Sequence, residues 1–357
     1  MNANKDLRLA LSVWLCIAGC RGYSGYPTRK VELLSPVYTV DKIYRSMQGP
    51  STTQEVHLLE TKPAELLWIR GYRAVMVGPD GKSPQSQEFM CHSNLDVDWN
   101  AFRAALPEHH QTSARLFTLS QGQFEIHFPD GFGIPVMSDT PLELTTQVLN
   151  HNLPNPNVQV RHKVTVEYVR DRDLKRPMTP LFQAGVYGLK LVEGQTPYFG
   201  VEHPDAARHG SGCLLGAAAS KDMYDDGLGR TFTGHWVVKP GREENRTLVT
   251  KELNLPFDTT IHYIAVHLHP LAESLELRDM TEQKTLFKSR AQNLEGRIGL
   301  EHVEAFSSAE GISVYENHGY ELVSVYNNTT DRDQDSMAVM YLYLYDREFH
   351  RPGGGEI

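Results

Sequence analysis

The chain has 357 residues, a formal net charge of −9, a hydrophobic content of 40% and a charged content of 22%. This length allows two domains of ordinary size, and the composition is that of a globular protein. The acidic balance argues against nucleic acid as a partner. The 16 Tyr and 13 Phe residues favour β structure.

The N-terminal residues have the layout of a secretory signal. Lys5 and Arg8 precede an apolar run at residues 9–18, which is too short to span a bilayer. The run ends in the letters IAGC, which resemble a bacterial lipobox, so we expect cleavage before Cys20 and lipidation of this residue. We therefore predict an exported, membrane-anchored lipoprotein facing the periplasm or the cell surface. Ordinary signal cleavage and a retained short anchor are the alternatives.

The rest of the chain consists of short alternating segments separated by turns, which predicts an all-β fold of two tandem antiparallel β-sandwich, jelly-roll-like domains. One helix is expected near residues 98–106. The predicted organisation is a signal peptide, a tether, a first domain, a second domain and a disordered tail, at residues 1–20, 21–36, 37–172, 173–350 and 351–357.

Two cysteines remain after the signal and the lipidated residue are set aside, Cys91 and Cys213. An oxidising compartment favours a disulfide between them. The sequence does not show that they meet.

The most informative segment is the predicted strand at residues 259–270, which contains His267 and His269. Side chains two apart in a strand point to the same face, roughly 6–7 Å apart. Two neutral imidazoles in this position can bind one copper, zinc or iron ion. His262 is five residues earlier and is expected on the opposite face.

Motifs in a fixed order along residues 120–346 resemble the copper type II, ascorbate-dependent monooxygenases, the family of peptidylglycine α-hydroxylating monooxygenase and dopamine β-monooxygenase. The order is more specific than any one motif. The matching segments are FPDGFGIPV at residues 128–136, Gln147-Val148, PLFQAGVYGL at residues 180–189, VHLH at residues 266–269 and DSMAVMY at residues 335–341.

The resemblance implies one copper ion per chain, held by His267, His269 and Met337 in the second domain. It also implies catalytic positions for Gln147 and Tyr341. Two imidazoles and a thioether favour Cu(I). His318 and His92 are kept as possible additional metal ligands, each with a structural interpretation beside it.

The chain departs from the family at the other copper centre. Where the family has a His-His pair, this sequence has His92 and Ser93, and the later ligand position is Leu149. His151, two residues further on, is a possible substitute in a segment that resembles a turn. Ala265 replaces the family's carboxylate-binding Arg, so a peptide ending in glycine is not the expected substrate.

Three functions remain open from the sequence. The first is a copper protein that hydroxylates a small molecule with O2 and an external reductant, while anchored to the membrane through lipid. The second is a copper-binding or storage lipoprotein without turnover. The third is a metal-free β-sandwich binding module. His109 and His110 follow the predicted helix and are expected in solvent, and His235 is interpreted as structural.

Overall fold

The computed structural model describes residues 26–192, 223–225 and 228–352, and these form an all-β fold. The first ten strands are β1 (Arg29–Leu34), β2 (Tyr38–Val40), β3 (Ser51–Val56), β4 (Leu66–Val77), β5 (Met90–Val97), β6 (Arg115–Ser120), β7 (Glu125–His127), β8 (Phe132–Met137), β9 (Leu142–Val148) and β10 (Val158–Arg170). The predicted all-β class is confirmed.

The second half of the chain contributes thirteen further described strands. They are β11 (Thr179–Tyr187), β12 (Lys190–Leu191), β13 (Met223–Asp225), β14 (Thr231–Thr233), β15 (His235–Val238), β16 (Gly241–Leu248), β17 (Thr259–Leu268), β18 (Ala272–Asp279), β19 (Lys284–Asn293), β20 (Leu300–Val303), β21 (Phe306–Val314), β22 (Tyr320–Asn328) and β23 (Gln334–Tyr345).

The described helices are short. The predicted helix near residues 98–106 is confirmed as α1 (Trp99–Ala105), whose first turn is capped by Asp98 accepting a hydrogen bond from the Ala101 amide at 2.8 Å. The other helix, α2, spans Thr250–Leu253. No helix among the described residues is long and apolar enough to cross a membrane.

The strands form two layered units that share one large sheet. That sheet has the order β1-β10-β4-β8-β11-β23-β17-β21, and a parallel contact between β8 and β11 joins its two halves. A four-stranded sheet, β3-β9-β5-β6, belongs to the first half. A five-stranded sheet, β16-β22-β18-β19-β20, belongs to the second.

Strand β23 is buried on both faces because it lies between two hydrophobic cores. Val339, Tyr341 and Tyr343 belong to the first core, whereas the alternate residues Met340 and Leu342 belong to the second. Strand β17 alternates in the same way, with Ala265 in the first core and Val266 in the second. One face of the second half therefore completes the core of the first.

The β6–β7 turn of the first half also contacts the second half. The Gln123 side chain accepts a hydrogen bond from the Val266 amide at 2.8 Å, and the Gly122 carbonyl accepts one from the Val303 amide at 3.0 Å. Gly122 has a φ of +87°, and a Cβ there would lie 2.9 Å from the Val303 side chain. Glycine thus allows both the turn and the close approach.

Two segments differ from the sequence predictions. Residues 29–34, assigned to a tether, form β1 and pair with β10, because their alternating side chains suit a sheet edge. Arg351, at the start of the predicted disordered tail, lies over the Trp68 ring at 5.8 Å and 3.5 Å from Asp171. The signal peptide, Cys20, Cys213 and residues 353–357 lie outside the described residues.

The two-sided burial of β23 predicts a large stability loss on truncation of its side chains. Leu342 is fully buried in the second core. Leu342→Ala should lower the free energy of unfolding by about 2–5 kcal/mol, because it leaves a cavity. Urea unfolding measures this change.

Leu248→Ala is the matched control, because Leu248 on β16 is 73% exposed. Its free energy of unfolding should stay within about 0.5 kcal/mol of the wild type. Equal losses for the two variants would contradict the assignment of Leu342 to a packed core.

Candidate metal centre

A buried group of two histidines and one aspartate lies where β15, β17 and β23 come together. The group consists of His235, His269 and Asp335, and its ligand atoms all lie within 4.8 Å of one another. Asp335 Oδ2 is 3.1 Å from His235 Nε2 and 3.0 Å from His269 Nδ1. Two ligand atoms bound at about 2.0–2.2 Å to one ion would be about 3.0–3.4 Å apart, so both distances suit a shared metal.

Strand pairing brings these residues to one face of the large sheet. His235 on β15 lies directly opposite Met337 on β23. On the other side of β23, the His269 amide donates to the Met337 carbonyl at 3.3 Å. Asp335 is two residues before Met337 and therefore points to the same face. The alternation of β23 directs this face towards the first core.

Tyr326 fixes the end of β17 against β23. Its hydroxyl donates to the Met337 carbonyl at 2.5 Å and accepts a hydrogen bond from the His269 amide at 3.2 Å. These contacts hold His269 next to Asp335 after the regular strand has ended at Leu268.

His267 lies next to the group without belonging to it. Its ring centroid is 5.3 Å from that of His269, and the two rings are nearly perpendicular. Its Nδ1 is buried and has no hydrogen-bond partner among the described residues, although the residue as a whole is only partly buried. Burial and then the imidazoles of His269, His92 and His235 lower the pKa of His267 well below its usual value.

The Asp335 carboxylate supplies negative charge to the group. Burial alone would raise the pKa of Asp335, but the His269 and His235 imidazoles outweigh it and hold this pKa well below its usual value. His269 Nδ1 lies 3.0 Å from Asp335 Oδ2. Buried charges are normally paired or bound to a metal. Here the carboxylate is paired with His235 Nε2 at 3.1 Å, and the same atoms form a possible ligand set.

Two histidines of the first half, His92 and His151, interact through their charges with residues of this group. Burial, with the charges of Arg115 and His269, lowers the pKa of His92 to about 3. Burial lowers the pKa of His151 to about 4, and the Asp335 carboxylate partly offsets it. Both imidazoles are therefore neutral near pH 7, which is the form that binds metals.

The two predicted catalytic residues lie in different halves of the chain: Tyr341 is on β23 and Gln147 is on β9. Tyr341 is buried on β23, paired with Ala265, and occupies the same face as Met337. Gln147 lies on β9 directly opposite His92. Its Nε2 donates to the Gly49 carbonyl at 2.9 Å, while its buried Oε1 has no hydrogen-bond partner among the described residues.

Several predictions on histidines need correction. His318 is not near this group. It bonds Asp279 at 2.6 Å beside the first residue of β22, whereas Tyr326 is near the other end of this strand. His109, expected in solvent, is buried, accepts from the Gln111 amide and bonds the Leu181 carbonyl. His235, interpreted as structural, is one of the clustered donors. His262 needs no correction: it was expected away from the metal face, and it bonds the Ser308 carbonyl at 3.0 Å outside the group.

The sequence analysis identified His269 and the neighbouring positions His267 and Met337, but missed His235 and Asp335 as donors. Asp335 could have been found, since it shares a strand face with Met337. His235 is 34 residues from His269 in sequence, and only the pairing of β15 with β23 brings it to the site. Whether His267 and Met337 bind metal stays a prediction.

Buried neutral imidazoles predict that acid destabilises the metal-free protein. Burial, with the His92 charge, lowers the pKa of His162 to about 3. The unfolded chain takes up this proton below about pH 6.5, whereas the folded protein does so only near pH 3. Stability is therefore lost as the pH falls below 6.5.

His162→Phe should reduce the loss of unfolding free energy between pH 7 and pH 5 by about 2 kcal/mol. Urea unfolding in the presence of a chelator measures it. His302→Ala is the control, because His302 is exposed on β20. An unchanged pH dependence in His162→Phe would contradict the depressed pKa.

Comparisons with known proteins give structural similarity at low sequence identity. No family model and no curated protein matches the chain. A peptide-N(4)-(N-acetyl-β-D-glucosaminyl) asparagine amidase is similar at 7% identity and a TM-score of 0.35, over 90% of this chain and 98% of that chain. PBCV-1 VP54, fitted into a reconstruction of the virophage Sputnik, is similar at 8% identity and 0.34, over 93% and 98%.

The major capsid protein P2 from bacteriophage PM2 is similar at 9% identity and a TM-score of 0.29, over 90% of this chain and 100% of that chain. None of these three structures is a copper monooxygenase. At TM-scores below 0.5 they carry no argument about the site or its chemistry, which rest on this chain's own residues.

Proposed function

We propose that this protein binds one transition-metal ion between its two cores, with His235, His269 and Asp335 as ligands. The observation that supports this most directly is the position of Asp335 Oδ2, 3.1 Å and 3.0 Å from nitrogens of the two histidines in a buried setting. His267 and Met337 adjoin the three ligands and are candidates for further coordination.

The finer proposal is that the ion is copper. Two imidazoles and a carboxylate suit Cu(II), Zn(II) and Fe(II) alike. The feature that favours copper is Met337. It lies opposite His235 on one side of β23, and its carbonyl accepts a hydrogen bond from the His269 amide on the other side. A thioether is a soft ligand that zinc and iron seldom use in this setting, whereas Cu(I) accepts it readily.

A second candidate function is oxidation of a small molecule with O2 and an external reductant. Three protein ligands leave open positions at a metal, as in oxygen-activating sites built from two histidines and a carboxylate. His267, next to the group, is only partly buried. Metal storage without turnover is the competing outcome.

Metal titration tests the binding proposal. We would prepare the chain from residue 21, remove metals with a chelator, and load Cu(I), Cu(II), Zn(II) and Fe(II) separately. The wild type should retain about one ion per chain. Asp335→Asn and His269→Ala should each weaken binding at least about tenfold, because each removes a ligand.

Three further variants define the ion and the control. Met337→Leu should weaken Cu(I) binding and leave Zn(II) binding unchanged. Tyr326→Phe should weaken binding by about tenfold, because Tyr326 positions His269 rather than binding metal. His302→Ala, on an exposed histidine, should bind as the wild type does. Failure of the wild type to retain any of the four ions would refute the proposal.

Oxygen consumption separates the two functions. With copper bound and ascorbate as reductant, an enzyme should consume O2 faster than free copper at the same concentration when a substrate is present. Rates no higher than those of free copper, across a panel of small phenols, amines and peptides, would leave metal binding without turnover as the function.

The proposed location is outside the cytoplasm, with a lipid anchor at Cys20. Its support is the sequence alone. A Cys20→Ser variant expressed in a bacterium with lipoprotein processing should lose incorporation of labelled fatty acid and leave the membrane fraction. Cys16→Ser is the control, because Cys16 lies within the apolar run. Equal labelling of Cys20→Ser and wild type would exclude the lipobox assignment.

A further inference from the structure

Basic side chains gather where β1 begins. Arg29, the first residue of β1, pairs with Tyr168 near the end of β10, so the start of β1 and the segment after β10 lie side by side. Arg351 reaches the same segment and lies 3.5 Å from Asp171. We call this group the basic patch, and its members are Arg29, Arg170, Arg172, Lys175, Arg176 and Arg351.

Two carboxylates link part of the basic patch into one network. Asp173 lies 3.2 Å from Arg29 and 4.0 Å from Arg172. Glu65 lies 3.3 Å from Arg172 and 2.5 Å from Arg170. These shared contacts hold the three arginines together at one end of the large sheet.

The basic patch carries an excess of positive charge. Its six cations are paired with three carboxylates, which are Glu65, Asp171 and Asp173. Two adjacent ion pairs are each neutral and leave this excess unchanged, Lys30 with Glu167 and Arg70 with Asp130. The whole chain has a formal net charge of −9, so this end is opposite in sign to the rest of the molecule.

Two cations of the basic patch are left without a carboxylate. Lys175 and Arg176 are exposed, and neither has an ion-pair partner within the described ranges. Their loop is fixed on both sides, because Leu174 packs against the first core and Met178 is buried in it. The loop therefore presents two unpaired positive charges to solvent.

The basic patch lies close to the proposed lipid anchor. The described chain begins at Tyr26, whose ring lies 5.2 Å from the Arg70 guanidinium, beside the start of β1. Tyr26 is six positions after Cys20. Six residues span at most about 20–22 Å, at about 3.3–3.6 Å per residue. A lipid on Cys20 thus keeps this end of the protein near the bilayer surface.

We propose that the basic patch docks on anionic phospholipid headgroups and orients the protein on its membrane. The proposal rests on the proposed anchor at Cys20. Basic side chains are attracted to an anionic bilayer, and the attraction decays within a Debye length of about 8–10 Å. Because the rest of the chain is acidic, such a bilayer repels the other faces and favours the orientation in which the basic patch meets the headgroups.

The test attaches the chain from residue 20 to vesicles by coupling the Cys20 thiol to a maleimide-bearing lipid. Cys213→Ser removes a second thiol from this background, and Cys91 is buried. The vesicles contain phosphatidylcholine alone or a mixture with phosphatidylglycerol. A water-soluble amine reagent then labels the lysines, and mass spectrometry gives the labelling rate of each.

Lys175 should be labelled at least about fivefold more slowly on the anionic vesicles, which is about the factor that one basic side chain contributes near such a surface. Salt at about 1 M should abolish the protection, because the Debye length falls to about 3 Å. Lys288, an exposed residue of β19, should be labelled equally on both kinds of vesicle.

Arg176→Glu should remove the protection of Lys175, because it lowers the positive excess by two charges. Lys284→Glu is the matched control, since Lys284 is an exposed cation on β19 without an ion-pair partner in the described part of the chain, and it should keep the protection.

Equal labelling of Lys175 on the two kinds of vesicle, or full protection in Arg176→Glu, overturns the proposal. So does protection on neutral vesicles that rises with the number of chains per vesicle, since it would indicate contact between copies. The attachment is chemical, so these outcomes do not depend on lipidation of Cys20 in cells, which fatty-acid labelling measures separately.

Discussion

The fold depends on a single strand, β23, that is packed on both of its faces. Period-two alternation sends Val339, Tyr341 and Tyr343 into one core and Met340 and Leu342 into the other. Because both sets are apolar, the strand cannot leave either core without exposing a continuous hydrophobic surface. The two halves of the chain are therefore joined through their interiors rather than by a linker alone.

The burial of both faces of β23 explains where along this strand charged side chains occur. Along most of its length β23 has apolar neighbours on both sides, so a charged group would be costly. The first residues of the strand are different, because β15 and the end of β17 bring histidines beside Asp335. Here the carboxylate has two imidazoles at hydrogen-bonding distance, and the same arrangement provides three ligand atoms for an ion. The opposite end of the strand is also polar, where Asp346 orients His110.

The proposed centre differs from the expected one in the type of its ligands. A His-His-Met set is soft and favours Cu(I), whereas two histidines and Asp335 include a hard oxygen that suits divalent ions. Met337 is not excluded by this change, because it occupies the strand position between the two histidines. Copper is kept as the proposal because its two oxidation states accept both kinds of ligand.

The sequence by itself determined the all-β class, helix α1, and the shared face of His267 and His269, because these follow from local alternation and capping. The resemblance to the copper monooxygenases also implied Met337 as a ligand. Only the tertiary structure decided which residues join His269 in the group. His235 and Asp335 are separated by 100 residues in sequence, and their approach depends on strand pairing that no local pattern encodes. The same reason applies to His318, which the sequence left as a possible additional ligand. The strand that follows it was predicted, but the pairing of β22 with β18 places His318 beside Asp279.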